Sequence, residues 1–237
     1  NNSIKNTIIK NASVGIISDS IGSATSPTLT VKNTQIYNSS NFGILGRGTN
    51  IYGENLVINN SGQNSLACTA GGTYSFIHAT FANFWTYSFR QSPSVLINNF
   101  SYESNTQIVE KYDLLAAIFT NCIIEGNSNI ELMIDKVEGT IFNYTFKNNM
   151  IRFYDPGHSY SAIETYNFAD TNHYVNTIFN GNPHFKAPYK NQFVVGQNSE
   201  GIKKAASEGT HLVPKDILGT TRTIPADIGA YQHIIFN

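Results

Sequence analysis

Ile4-Lys5-Asn6-Thr7-Ile8-Ile9-Lys10-Asn11 returns, 27 residues on, as Val31-Lys32-Asn33-Thr34-Gln35-Ile36-Tyr37-Asn38. Such self-similarity outranks any local signal, because a repeat dictates how the whole chain packs. One register extends along two thirds of the sequence, anchored at Asn6, Asn33, Asn55, His78, Asn99, Asn121 and Asn143, at intervals of 27, 22, 23, 21, 22 and 22. Two residues before each anchor stand Ile4, Val31, Gly53, Phe76, Ile97, Phe119 and Ile141. Three after it stand Ile9, Ile36, Ile58, Phe81, Tyr102, Ile124 and Phe146, and five after it Asn11, Asn38, Asn60, Asn83, Ser104, Gly126 and Asn148.

A unit of about 22 residues holds roughly three short strands and their turns at ~3.3 Å per residue. Alone it cannot bury its apolar face, so successive units must stack, with like residues in columns and asparagine amides forming a ladder between them. A leucine-rich repeat has a similar period, but Ile, Val, Phe, Tyr and Thr dominate here, and these favour strands. No amphipathic helix shows between Asn1 and Phe153. The expected fold is therefore all-β, a right-handed parallel β-helix solenoid over residues 1–153, with an irregular capping tail over 154–237. A third strand per coil is placed at Gly15-Ile16-Ile17, Gly43-Ile44-Leu45, Ser65-Leu66-Ala67, Ser88-Phe89-Arg90, Gln107-Ile108-Val109 and Glu131-Leu132-Met133. Ile4 already fits the repeat and the chain opens on Asn1, so further coils and an export signal are expected upstream.

Composition agrees with many strands joined by tight turns. The chain has 237 residues, of which only 13% are charged while 41% are hydrophobic, and 30 are asparagine. Asparagine and glycine tolerate the left-handed backbone that tight turns demand, and so much apolar surface argues against disorder. A net charge of −1 without a run of Lys or Arg gives no footprint for nucleic acid. No stretch approaches the ~18 apolar residues of a membrane-spanning helix. Cys68 and Cys122 are too few for a disulfide framework and read as small buried hydrophobes.

Beyond Phe153 the texture changes. Asn182-Pro183-His184-Phe185 is followed by Asp216-Ile217-Leu218-Gly219-Thr220-Thr221-Arg222 and Asp227-Ile228-Gly229-Ala230-Tyr231. This tail resembles the C-terminal region of bacterial choice-of-anchor proteins, related to the polymorphic outer-membrane-protein type. The repeat before it resembles the pectin-lyase-like superfamily. Ala205-Ala206-Ser207-Glu208-Gly209 departs from the pattern of such tails. The resemblance implies an exported protein at the extracellular or outer-membrane surface, often a lipoprotein of Bacteroidota-like bacteria with an upstream lipid anchor. Asp216, Arg222 and Asp227 are expected to hold the cap together through charge-assisted bonds.

Enzymes of the β-helix type work on an outer strand face. A lyase needs a base, with calcium or another cation to neutralise a uronate carboxylate, and a hydrolase needs paired carboxylates. The register puts Asp19, Arg47, Arg90, Lys111, Glu131 and Asp135 near the third-strand face, with Arg90, Lys111 and Asp135 within ~10 Å of one another on adjacent coils. These three are the catalytic candidates, although ion pairing between coils explains the charges equally well. His78, Phe81, Phe84, Trp85, Tyr87 and Arg90 form the richest local cluster. Phe81 and Phe84 read as core and His78 as a substitute in the asparagine ladder. Trp85 and Tyr87, with Arg47 and Arg90, are the candidate ligand contacts, since aromatic rings stack on the apolar faces of sugars. No metal-ligand spacing or nucleophile motif stands out, and no cofactor is expected. Three functions fit: non-catalytic binding of a polysaccharide or surface protein, a polysaccharide lyase or hydrolase, and a structural stalk or adhesin. Sparse, scattered charge favours the first.

Overall fold

The computed structural model describes residues 1–21, 25–102 and 109–236. Within them the repeat takes physical form as left-handed backbone. Asn6, Asn33, Asn55, His78, Asn121, Asn148 and Asn176 all adopt φ between 48° and 58°. Asn11, Asn38, Asn60 and Asn180 form a second such set. Among residues with a Cβ, asparagine enters this region at least cost. The side chains then link successive passes of the chain. Asn33 Nδ2 donates to Asn6 Oδ1 at 3.2 Å and Asn55 Nδ2 to Asn33 Oδ1 at 2.9 Å. Beside this ladder Asn38 donates to Asn11 at 3.2 Å and Asn60 to Asn38 at 2.7 Å. His78 substitutes in the first ladder, with its Nε2 3.0 Å from Asn121 Nδ2.

Parallel pairing follows the same register. Ile4, Val31, Gly53, Phe76, Phe119, Phe146 and Tyr174 are successive partners. So are Ile9, Ile36, Ile58, Phe81, Ile124, Ile151 and Phe179. A third row aligns Ile16, Ile44, Leu66, Val95 and Leu132. Most of these side chains face one interior, where Phe119 stacks on Phe146 at 5.0 Å and Phe146 on Tyr174 at 5.6 Å. Cys68 and Cys122 lie in that core as free thiols.

Two anchors of the expected repeat are corrected. Asn99 and Asn143 do not take the left-handed corner; the chain's own anchors after His78 are Asn121 and Asn148. The pass from His78 to Asn121 makes a detour: among its described residues Val95–Asn98 keeps to the third row, whereas Phe100–Tyr102 and Val109–Lys111 form an antiparallel pair. The true intervals are 27, 22, 23, 43, 27 and 28. The third strand of the detouring pass is Val95–Asn98, not Ser88-Phe89-Arg90, and Phe89 is 87% exposed. Ser104 and Gln107-Ile108, also placed by the repeat, lie outside the described residues.

The solenoid expectation is corrected with them. The structure is one large parallel sheet curled into a half-barrel, 304° around a 9 Å axis. Continuous strands explain the difference. Leu29–Ser39 and Phe42–Ser61 run unbroken through Asn33, Asn38, Asn55 and Asn60. The corners therefore bend the ladder without ending it, and rows that a solenoid would divide among separate sheets belong to one curved surface. Unequal passes remove the uniform rise that a solenoid needs.

Parallel pairing also runs on past Phe153, to Tyr174–Val175 and Ile178–Phe179. Between them Tyr160, Tyr166 and Phe168 pack against Phe153, and Phe168 stacks on Phe179 at 4.0 Å. The tail from Asn182 onward packs against the sheet. It lies over the outer face, because that face is apolar. Ile123 and Met150 meet Val195, Ala205, Ala226 and Ile228, while Tyr37, Val57 and Ala82 meet Phe193, Ala230 and Tyr231. Arg222 joins tail to sheet, its Nη2 donating to Asn55 Oδ1 at 2.8 Å and to the carbonyls of Gly229 and Ala230. Asp216 accepts from the N–H groups of Leu218, Thr220 and Gln232, and Asp227 from those of Lys203 and His233. These three residues thus tie the tail largely through backbone groups, with Asn55 and His233 as side-chain partners.

One close approach tests the register. A Cβ on Gly43 would stand 2.5 Å from the Ser65 carbonyl oxygen of the next pass, a backbone atom with nowhere to go. Gly43→Ala should lower stability by about 1–3 kcal/mol, the usual range for overpacking. Urea unfolding measures it, and an unchanged midpoint would contradict this strand register.

Candidate binding cleft

Where the tail stops covering the sheet, it leaves a cleft of about 550 Å³. Its floor is the second strand row. Alternation along Ile123–Gly126 turns Ile124 inward and Glu125 outward, opposite Ala82. On the next pass Ile151 pairs with Ile124, so Arg152 emerges beside Glu125. The Arg152 guanidinium is held by its Nε, which donates to Ser128 O at 2.6 Å, and its Nη1 lies 3.6 Å from Glu125 Oε1. Glu125 is 6% exposed and accepts one bond, from the Gly126 N–H at 3.2 Å. Burial pushes its carboxyl up to about 7; Gly126 N–H and Arg152 pull down, and the neighbouring Glu131 adds to the rise.

The far wall comes from the tail. Asn182, Pro183 and His184 enter the hairpin Phe185–Ala187 and Gln192–Val195. Buried Asn59 ties that hairpin to the sheet, donating to Pro188 O and to Asn191 Oδ1 and accepting from the Phe84 N–H. Phe84 is thereby set among Phe185, Tyr189 and Phe193, with centroid distances of 6.4, 5.3 and 6.1 Å. Tyr189, 64% exposed, stands at the rim. Asn127 and Asn180 add amide groups to the lining.

Trp85 and Tyr87 follow Phe84 on a braced loop, with the Trp85 ring beside Gly62. Asn127 Nδ2 donates to Trp85 O at 2.7 Å, Trp85 Nε1 donates to Ser88 Oγ, and the two rings sit edge to face at 5.0 Å. The brace is Arg90. Its Nη2 donates to Glu131 Oε1 at 2.5 Å, to Asn83 O and to Asn127 Oδ1, and its Nη1 donates to Glu131 Oε2 and to Ser92 O. Glu131, fully buried, also accepts from the N–H groups of Ser94 and Ser128. Arg90 is thus a buried support for the loop and not a group open to solvent.

The other sequence-derived candidates lie apart. Lys111 Nζ donates to Glu138 O at 2.8 Å. Asp135 ends the strand Leu132–Asp135, four residues from Glu131 and so about 13 Å along an extended chain from the Arg90 partner. It lines a separate cleft of about 400 Å³ with Lys136, Glu138 and Glu164, and burial raises its carboxyl. Arg90, Lys111 and Asp135 therefore do not form one groove. Arg47 makes a two-pronged exposed pair with Asp19 at 2.8 and 2.6 Å, which holds the Asp19 carboxyl below its ordinary value. Glu125, Arg152 and Tyr189 did not stand out in the sequence, and His184 did so only as part of Asn182-Pro183-His184-Phe185. The signal available was the alternation in Ile123-Ile124-Glu125-Gly126, which puts one acid on an otherwise apolar outer row.

Among the described residues, no group of three or more His, Cys, Asp or Glu side chains could hold a metal ion, and no helix is long and apolar enough to cross a membrane. Neither a known protein family, nor a curated protein, nor a solved structure matches the chain. The resemblance to pectin-lyase-like and choice-of-anchor proteins is corrected accordingly, since the sheet is a curled half-barrel and no family stands behind the tail motifs.

Proposed function

We propose that the protein is a non-catalytic glycan-binding protein whose ligand lies in the Glu125–Arg152 cleft and over its aromatic rim. The observation that carries this reading is the combination of amide and aromatic groups on a rigid frame: Asn182 beside Phe84 and Tyr189, with Asn127 and Asn180 fixed by bonds to Arg90, the Trp85 carbonyl and the Phe153 backbone. Amides hydrogen-bond sugar hydroxyls, while rings stack on sugar C–H faces. Asn59 and the Arg90–Glu131 pair hold the walls in place before any ligand arrives, which limits the entropy lost on binding. Among the described residues lining the cleft Glu125 is the one carboxylate, and hydrolysis of a glycosidic bond ordinarily uses two.

A glycan array with the wild-type chain and Tyr189→Ala tests the reading. Loss of one stacking ring should weaken binding about tenfold, a change of ~1.4 kcal/mol. Failure to bind any glycan on a broad array would refute it. So would binding that is indifferent to Tyr189→Ala and Tyr87→Ala combined.

A further inference from the structure

The Glu125–Arg152 contact has an unusual looseness. At 3.6 Å it lies beyond hydrogen-bond distance, although Arg152 is anchored on Ser128 O and could not easily turn away. One nearly buried acid and one half-exposed base therefore face the same space without satisfying each other. The surrounding charges are otherwise spoken for. Glu131 is closed off by Arg90, and the Glu200 carboxylate takes the Asn182 N–H at 2.7 Å. From the tail side the cleft gains two titratable groups, His184, whose Nδ1 faces the Asn198 N–H at 3.4 Å, and the Tyr189 phenol at the rim.

We propose that the cleft selects a carboxylate-bearing sugar, whose acid group takes the Arg152 guanidinium while Glu125 binds one proton. This rests on the glycan-binding reading and names the class of sugar. The charge balance requires the proton. Arg152 with an ionised Glu125 leaves no net positive charge for an incoming carboxylate, and two carboxylates at one guanidinium repel. Protonating Glu125 restores neutrality, with Arg152 paired to the ligand. Glu125 stands ready for this, since burial already holds its carboxyl at about 7. The competent form is then the protonated one, and apparent affinity scales with its fraction, falling about tenfold from pH 6 to pH 8.

Calorimetric titration at pH 6 and pH 8 tests the proposal with short oligomers of glucuronate, galacturonate and mannuronate, each beside its neutral parent sugar. An acid oligomer should bind more tightly than its parent at pH 6 and lose about tenfold by pH 8, while the parent is unaffected. Glu125→Gln should bind the acid oligomer equally at both pH values, and Arg152→Gln should erase the preference for the acid. Equal affinity for acid and parent, or a wild-type affinity independent of pH, overturns this inference and leaves glycan binding standing. A pH dependence abolished by His184→Asn overturns the assignment to Glu125. Binding of none of the six oligomers overturns this inference, and the broad array then decides separately whether the glycan reading stands.

Discussion

Arg90→Met should cost about 3–5 kcal/mol of stability, because it strands a buried carboxylate among groups that cannot solvate it. Glu131 is fully buried, and both of its oxygens receive Arg90 at 2.5 and 2.9 Å. Without the guanidinium, the N–H groups of Ser94 and Ser128 remain, but no counter-charge does. Burial already pushes the Glu131 carboxyl above its ordinary value against the pull of Arg90, and losing Arg90 pushes it further. In the variant the group therefore holds its proton in the folded state to higher pH than in the unfolded state. The loss should be greatest at alkaline pH and shrink toward pH 5, where the folded variant keeps Glu131 neutral. Urea unfolding from pH 5 to pH 9 measures it. The double variant Arg90→Met/Glu131→Gln should recover much of the loss and flatten its pH dependence. Trp85 fluorescence should follow, because Arg90 reaches the Trp85 backbone through Asn127. A single variant within ~0.5 kcal/mol of wild type would show that the pair is not a structural keystone.

How much of this was legible depends on which physical signal each residue carries. The asparagine corners were readable, since few residues with a Cβ accept positive φ and a ladder needs like neighbours. Hence Asn6, Asn33, Asn55, His78 and Asn121 take the corners that the repeat assigns them. Asn99 and Asn143 misled because a chain with 30 asparagines supplies chance matches at nearly the right spacing. The extra length of the pass from His78 to Asn121 leaves no periodic trace in the sequence, where it resembles two regular units of 21 and 22 residues. Curvature was not legible, because the same column pattern fits stacked separate sheets and one curled sheet. What decides between them is whether the backbone ladder survives the corner, and that depends on geometry at Asn33 and Asn38 rather than on residue type. The candidate site was missed for a related reason. Glu125 and Arg152 are neighbours only in the true register, in which Ile124 meets Ile151; the expected register set Ile124 against Phe146. Arg90 was picked out as a charged side chain on an outer face, yet it is 7% exposed and supports the loop from beneath.

Glu125 also offers a test that needs no ligand. Its carboxyl rises from an ordinary 4.5 to about 7 on folding, so between those values the folded chain holds a proton that the unfolded chain has released. Stability therefore falls as pH rises through this window, and above it the ionised group costs about 3 kcal/mol relative to acid conditions. Glu125→Gln removes the titration while keeping the shape. The variant should match wild type near pH 4 and exceed it by about 3 kcal/mol at pH 8, the difference growing between pH 4.5 and pH 7. Paired urea titrations at pH 4, 6 and 8 follow that growth. A constant difference across the three would mean that the carboxyl titrates alike in both states, which would also remove the proton from the binding scheme above. A difference that grows as expected identifies Glu125 as a group kept at a cost to stability. That pattern is common at sites where a side chain serves recognition and not packing. At pH 8 the variant should then be both more stable than wild type and tighter for an acidic sugar, a pairing that a merely structural carboxylate would not produce.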